Sequence, residues 1–502
     1  MGQQDTSAAG RVAPLNIDGQ EFREAGYALI DRLADFLNDW EDRPVTRASS
    51  PIEVRKLIQS EAGMPSGGTD LKALLLSAAD GLIEHSLHNG HPRFLGYITS
   101  SAAPAGILAD ALASAINPNC GAWTLSPVAS EIEAQTVRWI AELLDYPTDC
   151  GGLMVSGGNM ANMVGFWAAR VAAMGPGIRE EGQADRKLSI YASAETHTWL
   201  QKATDLAGIG TGAVRWIPTG SDLRMDLKAL ADRMDEDMAS GWTPMMVVGT
   251  AGSVMTGAVD DLEAISQICR ERKCWFHIDG AYGGFAAMVP DAPEGLRHLG
   301  LADSIAVDPH KWLYAPLEAG CALVRDPQHL RDAFSYHPPY YHFGIEATNF
   351  VDFGPQNSRG FRALKVWTQL KQVGRRGYEQ MIGDDIRLAT RLQANASRHP
   401  ELETGPAGLS ISTFRFVPDR LRDQLGDEAA EEYLNRLNLE VQTRLERDGE
   451  VFLSNAIAGG RYLLRGCIVN FRTSEADVDE IPEIVVRTGR EVDAEWSTDG
   501  AD

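Results

Sequence analysis

The chain is short of positive charge, of paired cysteines and of long apolar runs, and each shortage removes a class of function. Among 502 residues, 46 Lys and Arg face 70 Asp and Glu, a formal net charge of -24 with a pI near 4.9. A broad phosphate-binding surface needs the opposite balance, so nucleic acid is not expected as a partner. The six cysteines (Cys120, Cys150, Cys269, Cys274, Cys321 and Cys467) include no C-x-x-C pair. That spacing suggests neither a disulfide framework nor a zinc site, and it fits a reducing compartment. No stretch reaches the roughly 18 apolar residues of a membrane span, and Met1–Gln20 lacks the basic start and apolar core of a secretory leader. A soluble, cytoplasmic protein without a membrane partner is expected.

What is present is ordinary globular composition, 44% hydrophobic and 23% charged, in a chain long enough for two or three domains. Phe22, Ala25, Leu29, Leu33, Phe36 and Trp40 recur at steps of three and four, which predicts an amphipathic helix ending before Arg43-Pro44. Ser50-Pro51-Ile52-Glu53 reads as a capping box with proline at the first helical position. Residues 1–92 therefore read as a helical segment with little core of its own, of the kind that covers a partner subunit. From 93 to 385 short apolar strands (Leu153–Val155, Leu188–Tyr191, Met245–Val248, Trp275–Ile278, Ser304–Val307, Ala322–Val324) alternate with helices such as Ile132–Leu144. This predicts an α/β domain with a mainly parallel sheet and helices on both faces. Residues 336–360, rich in Pro, Gly, Asn and aromatics, read as a mobile segment. A long helix through Leu364, Trp367 and Leu370 is expected to bend near Gly374 and Gly377. Residues 386–502 read as a smaller α+β domain with strands at 409–417 and 462–471. The first fifteen and last dozen residues read as disordered.

Two strand ends carry the chemistry. His277-Ile278-Asp279-Gly280-Ala281-Tyr282-Gly283-Gly284 and Asp303-Ser304-Ile305-Ala306-Val307-Asp308-Pro309-His310-Lys311-Trp312 each run from apolar residues into polar ones. A lysine and a carboxylate on neighbouring strand ends can hold a pyridoxal ring between them. The lysine forms a Schiff base with the aldehyde, and Asp279 keeps the pyridine nitrogen protonated so that the ring accepts electrons. The plainer reading is a strand-end carboxylate capping a loop and a surface lysine. Ser156-Gly157-Gly158-Asn159 follows a strand and opens a helix, where free N–H groups favour a phosphate, although a structural turn needs the same glycines. His197, just past a strand, could stack on an aromatic ring or simply satisfy its own loop. His85, His88 and His91 have a metal-like spacing, but Gly90 and Pro92 interrupt any helix that would align them, and no metal is expected.

Together these residues resemble the group II pyridoxal-phosphate-dependent amino-acid decarboxylases, the family of the aromatic L-amino-acid, tyrosine, histidine and glutamate decarboxylases. The similarity runs from His91-Pro92-Arg93-Phe94 through Trp123, Ser126-Pro127, the two strand-end motifs and Arg359-Gly360-Phe361-Arg362-Ala363-Leu364-Lys365 to Asn470-Phe471-Arg472. The resemblance implies a type I fold, pyridoxal 5'-phosphate as cofactor, and a homodimer with its active site at the subunit interface. It implies that Lys311 is the Schiff-base lysine, Asp279 the pyridinium partner, His197 the stacked imidazole and Ala281 a ring contact. Gly158, Asn159, Thr250, Asp308 and His310 fall on further cofactor-binding positions. Tyr340 falls on the loop tyrosine that returns a proton to the substrate's alpha carbon, with Tyr341 beside it; the related aldehyde synthases have phenylalanine there. Phe94, Asn119, Gly121, Trp123 and Ser358 fall on substrate-binding positions.

The sequence departs from the aromatic-decarboxylase pattern at Asp308 (asparagine in animal enzymes), Asn159 (usually serine or threonine) and Ala251 (usually threonine). Asn119 and Gly121 stand where bulky apolar residues line the ring pocket, which leaves more room and a polar group. Ser358 stands where, in plant relatives, serine accompanies phenolic substrates and glycine indolic ones. The implied activity is decarboxylation of an L-amino acid, most naturally an aromatic one, to its amine. An aldehyde synthase, another amino-acid lyase, or a pyridoxal-binding protein without catalysis remain as alternatives.

Overall fold

The computed structural model describes residues 13–40, 43–336 and 347–499. Its centre is a seven-stranded sheet of β2 (Gly151–Val155), β3 (Leu188–Ser193), β4 (Val214–Ile217), β5 (Thr243–Thr250), β6 (Trp275–Asp279), β7 (Ser304–Val307) and β8 (Gly320–Val324). These follow the short strand β1 (Phe94–Leu95) in the chain, and their spatial order is β2-β8-β7-β6-β5-β3-β4. Only β8 runs against the others. β2, β3, β7 and β8 are buried along their whole length, and one apolar cluster lies on each face of the sheet. Burial on both faces is why these strands read as continuous apolar runs. β2, β3, β5, β6 and β7 all end at one edge, where β8 begins. Ligands of open α/β sheets bind at that edge.

A second sheet, in the order β1-β11-β12-β10-β9, is formed by β9 (Leu402–Thr404), β10 (Ile411–Phe416), β11 (Phe452–Ala458), β12 (Arg461–Cys467) and β1. Helices Glu428–Asp448 and Glu475–Asp499 and the second half of helix Ala363–Arg398 cover it around a third apolar cluster. β1 pairs in parallel with Phe452 and Leu453, and Phe94 stacks on Phe452 with ring centroids 5.4 Å apart. The boundary expected at 386 falls inside the helix Ala363–Arg398, whose break is confined to Gly374 (φ 70°) while Gly377 stays helical.

The N-terminal helices are Gly19–Asn38, Pro51–Leu57 and Leu71–His85, the second opened by the Ser50/Glu53 capping box. Of the last dozen residues, expected to be disordered, 491–499 instead continue a helix whose Ile481, Ile484, Val485 and Val492 are buried, and 500–502 lie outside the described residues. Of the segment expected to be mobile, 337–346 lie outside the described residues; beyond them Phe350 and Arg359 are buried while Pro355, Asn357, Ser358 and Gly360 are exposed.

Arg359 shows how the loops near the site are held. Its guanidinium meets Glu133 (Nη1 to Oε2, 3.0 Å) and donates to the carbonyls of Cys120 (3.1 Å) and Met154 (2.6 Å), while Glu133 also accepts the Met154 N–H (2.9 Å). Both side chains are almost fully buried, and the pair is sustained by the partners that both terminal guanidinium nitrogens and both carboxylate oxygens find. All six cysteines are free. Among the described residues, no helix is long and apolar enough to cross a membrane.

Candidate active site

The end of β7 turns directly into Pro309–Trp312, a single helical turn with Asp308 as its N-cap and proline at its first position, where no backbone N–H is needed. The turn presents the Lys311 amine to the sheet edge, 3.2 Å from Asp308 Oδ2. Asp308 is 2% exposed, and its Oδ1 has no hydrogen-bond partner. The Ser100 hydroxyl donates to the His310 carbonyl (2.8 Å), and the His310 ring sits against Ala319. Beneath the turn Trp312 stacks on Tyr282 (5.0 Å between ring centroids) and donates its indole N–H to Asp385 Oδ2 (2.9 Å), which also accepts from the Tyr314 hydroxyl (2.7 Å). Burial pushes the Asp385 carboxyl up to about 7. Lys311 therefore stands on a rigid base.

On β6, Asp279 closes the strand with both carboxylate oxygens engaged. Oδ2 accepts the indole N–H of Trp199 (2.7 Å) and Oδ1 the backbone N–H of Ala281 (3.1 Å). Two residues back, on the same face of the strand, His277 is wholly buried between Ser304 Oγ and Asn162 Oδ1, each 2.7 Å from a ring nitrogen. Burial drives its pKa down to about 4 from an ordinary 6.5, against a small opposing pull from Asp279.

Between pH 4 and 6.5 the unfolded chain binds a proton at His277 that the folded chain refuses. Stability from this group is thus fully present above pH 6.5 and falls as the pH drops toward 4, by at most about 3 kcal/mol. The parent protein is expected to lose that much more unfolding free energy across this window than His277→Gln. Equal slopes for the two in denaturant titrations at several pH values would assign the acid sensitivity elsewhere.

His197 follows β3. Its Nδ1 accepts the backbone N–H of Trp199 (3.2 Å), which leaves the ring proton for Nε2. Desolvation lowers its pKa, with Asp279 pulling the other way and Lys311 adding to the depression, so the ring stays neutral near pH 7. Beyond β2, Gly157 has φ 103° and the helix Gly158–Met174 begins without a side-chain cap, leaving its first N–H groups for a ligand. A Cβ at Gly158 would stand 2.6 Å from Asp308 Oδ2. At the end of β5 the Thr250 hydroxyl is buried without a partner, while the Thr250 N–H donates to Asp260 (2.8 Å).

These residues surround one cavity of about 370 Å³. Lys311, Asp279, His197, Gly158, Asn159, Thr250, Ala281, Asp308 and His310 all line it, as do Glu195, Ser253 and Glu318, which the sequence did not single out. Phe94, Asn119, Gly121, Trp123 and Ser358 do not. Asn119 accepts from the backbone N–H groups of Gly121 (3.0 Å) and Arg359 (3.1 Å), which puts it beside Gly121 and Ser358 in a separate cluster, while Trp123 bonds Glu131 (2.8 Å). Phe94 is buried in the small sheet. Tyr340 and Tyr341 lie outside the described residues. His85 and His91 do not converge on one point, since His85 meets Ser49 (2.8 Å) and His91 the Arg43 carbonyl (3.0 Å).

The cavity fits pyridoxal phosphate on four counts. It offers an amine for the aldehyde, a fixed carboxylate for the ring nitrogen, a neutral imidazole, and an uncapped helix N-terminus for the phosphate, with two orphaned buried polar atoms in its wall. The parallel sheet, the single reversed strand and this site define a pyridoxal-phosphate-dependent enzyme of the type I fold. Residues 51–405 match the family model described as the pyridoxal-dependent decarboxylase conserved domain. The chain is 32% identical over 473 residues to an aromatic-L-amino-acid decarboxylase of Bacillus atrophaeus, covering 93% of this chain and 95% of that one. It is 27% identical over 482 residues to a phenylacetaldehyde synthase of a Rosa hybrid cultivar, at 93% and 94% coverage. Among solved structures, Oryza sativa TDC with PLP and tryptamine superposes with a TM-score of 0.87 at 27% identity, covering 96% of this chain and 99% of that one. The chain belongs to the pyridoxal-dependent decarboxylase family and is a pyridoxal-phosphate-dependent amino-acid decarboxylase.

Proposed function

We propose that this enzyme converts an aromatic L-amino acid to its amine and carbon dioxide, acting as a homodimer. The observation that carries the substrate class is the 32% identity, over nearly the whole of both chains, to a relative named for aromatic L-amino acids. The dimer is supported by what the cavity lacks. Asn119, Gly121, Trp123 and Ser358 lie outside the Lys311 cavity of their own chain, as residues contributed to a neighbouring copy's site would.

When bound, pyridoxal phosphate supplies an electron-accepting ring for the pair released as the carboxylate leaves. The chain's own residues do the rest. Lys311 would hold the aldehyde through its amine and would leave as the free amine when the substrate's amine takes its place. Asp279, pinned by Trp199 and Ala281, holds a proton on the ring nitrogen, and neutral His197 covers the ring without adding charge. Tyr340 delivers a proton to the alpha carbon and so commits the reaction to amine.

That last role separates decarboxylase from aldehyde synthase. The parent enzyme is expected to release amine and carbon dioxide in equal amounts from one or more aromatic amino acids, without oxygen uptake. Tyr340→Phe is expected to consume oxygen and water and to release aldehyde, ammonia and peroxide along with carbon dioxide. Mass spectrometry of products across the twenty amino acids, paired with an oxygen electrode, checks both. Amine from only non-aromatic substrates would remove the substrate class, and unchanged amine output from Tyr340→Phe would move the acid role to another group.

A further inference from the structure

We propose that Trp199 is a positioning residue for the cofactor ring, acting through one indole N–H bond. The side chain is wholly buried and stands first in the helix Trp199–Leu206. One residue reaches both groups assigned to the ring. Its backbone N–H, which the helix itself cannot use, donates to His197 Nδ1 (3.2 Å), and its indole N–H donates to Asp279 Oδ2 (2.7 Å). The indole also stands edge-on to His277 (5.7 Å between ring centroids, 72°), whose ring is fixed by Ser304 and Asn162. Gly165 makes room for that arrangement, since a Cβ there would lie 2.9 Å from the His277 ring.

The physical role follows from the bond's partner. A strand-end carboxylate can rotate about its last torsion, and one backbone bond from Ala281 fixes only one of its oxygens. The Trp199 N–H fixes the other, and a charge-assisted bond from a wholly buried donor is a strong restraint. The plane of the carboxylate is then set before the cofactor arrives, and a ring nitrogen placed against it would find it already oriented. With the bond gone, only the Ala281 N–H restrains the carboxylate, which then holds the ring proton less securely.

The proposal rests on Asp279 as the ring-nitrogen partner, and its test keeps the two ideas apart. Trp199 is replaced by 3-benzothienyl-alanine through site-specific suppression, which keeps the shape and removes only the donor; Trp199→Phe and Asp279→Asn complete the series. Each is reconstituted with pyridoxal phosphate and followed by visible absorbance against pH, by cofactor affinity, and by kcat and KM separately. For the isostere, the ring proton is expected to leave at a pH lower by about one unit, and kcat to fall about 10- to 100-fold at nearly constant KM. An isostere whose titration and kcat match the parent, beside an impaired Asp279→Asn, overturns the role of Trp199 alone. An Asp279→Asn that also matches the parent overturns the reading of Asp279. Should Trp199→Phe fail to fold, the isostere still decides.

Discussion

Lys311→Ala is expected to abolish turnover, by on the order of 10⁴- to 10⁶-fold, and to remove the yellow colour of the reconstituted enzyme. In the proposed role the amine tethers the aldehyde, and among the described residues no other lysine lines the cavity. The alanine variant has a second effect, because Asp308 is 2% exposed and loses the Lys311 charge 3.2 Å away, while His310, at 3.7 Å, is held toward its neutral form by desolvation. A buried carboxylate stripped of its cation destabilises the fold, so lost activity alone would be ambiguous. Lys311→Arg separates the two causes. It keeps a positive charge beside Asp308, yet its guanidinium stays protonated and cannot attack an aldehyde. The arginine variant is therefore expected to melt close to the parent while remaining colourless and inactive. Colour or turnover in either variant would remove Lys311 from its role.

Much of this site was legible in the sequence because its parts are short and local. Strand, carboxylate and lysine follow one another within a few residues at the ends of β6 and β7, and strands buried on both faces announce themselves as apolar runs. The strands that escaped notice are those without such a run. β4 is an edge strand with Trp216 exposed, and β11 alternates buried and exposed residues at its end. β1 is two residues long and exists only through its pairing with β11, a contact between residues far apart in the chain.

Trp199 was missed for a different reason. Nothing local in Thr198-Trp199-Leu200 marks its indole as facing Asp279, 80 residues away, and a buried tryptophan at the start of a helix reads as core. The Arg359–Glu133 pair is hidden in the same way, since each residue looks like surface charge until the fold buries both. Pattern reveals chemistry carried by neighbours in sequence. It does not reveal the partners that orient that chemistry from elsewhere.

Asp279→Asn is the second change with a large expected effect, and it tests the electronic half of the mechanism as Lys311 tests the covalent half. The substitution preserves size, so the cavity and the tether at Lys311 should survive and the variant should still take up cofactor. Two things change. The carboxylate now accepts the Trp199 N–H on one oxygen and the Ala281 N–H on the other, whereas an amide has a single oxygen for those two donors. One donor loses its partner, which for the buried Trp199 N–H costs about 1–3 kcal/mol. More important, the negative charge that favours a protonated ring nitrogen is gone, and an amide NH₂ turned toward the ring favours the unprotonated form instead. The ring then accepts electrons poorly when carbon dioxide leaves. A fall in kcat of about 10²- to 10³-fold or more is expected, with KM changed far less. Reconstitution with N-methylated pyridoxal phosphate, whose ring nitrogen is permanently cationic, discriminates the electronic cause from misplacement. It should restore part of the lost rate in Asp279→Asn and bring no gain to the parent, because the methyl group occupies the place of the proton that Asp279 holds. If the methylated cofactor binds but restores nothing, Asp279 acts by placing the ring rather than by sustaining its charge.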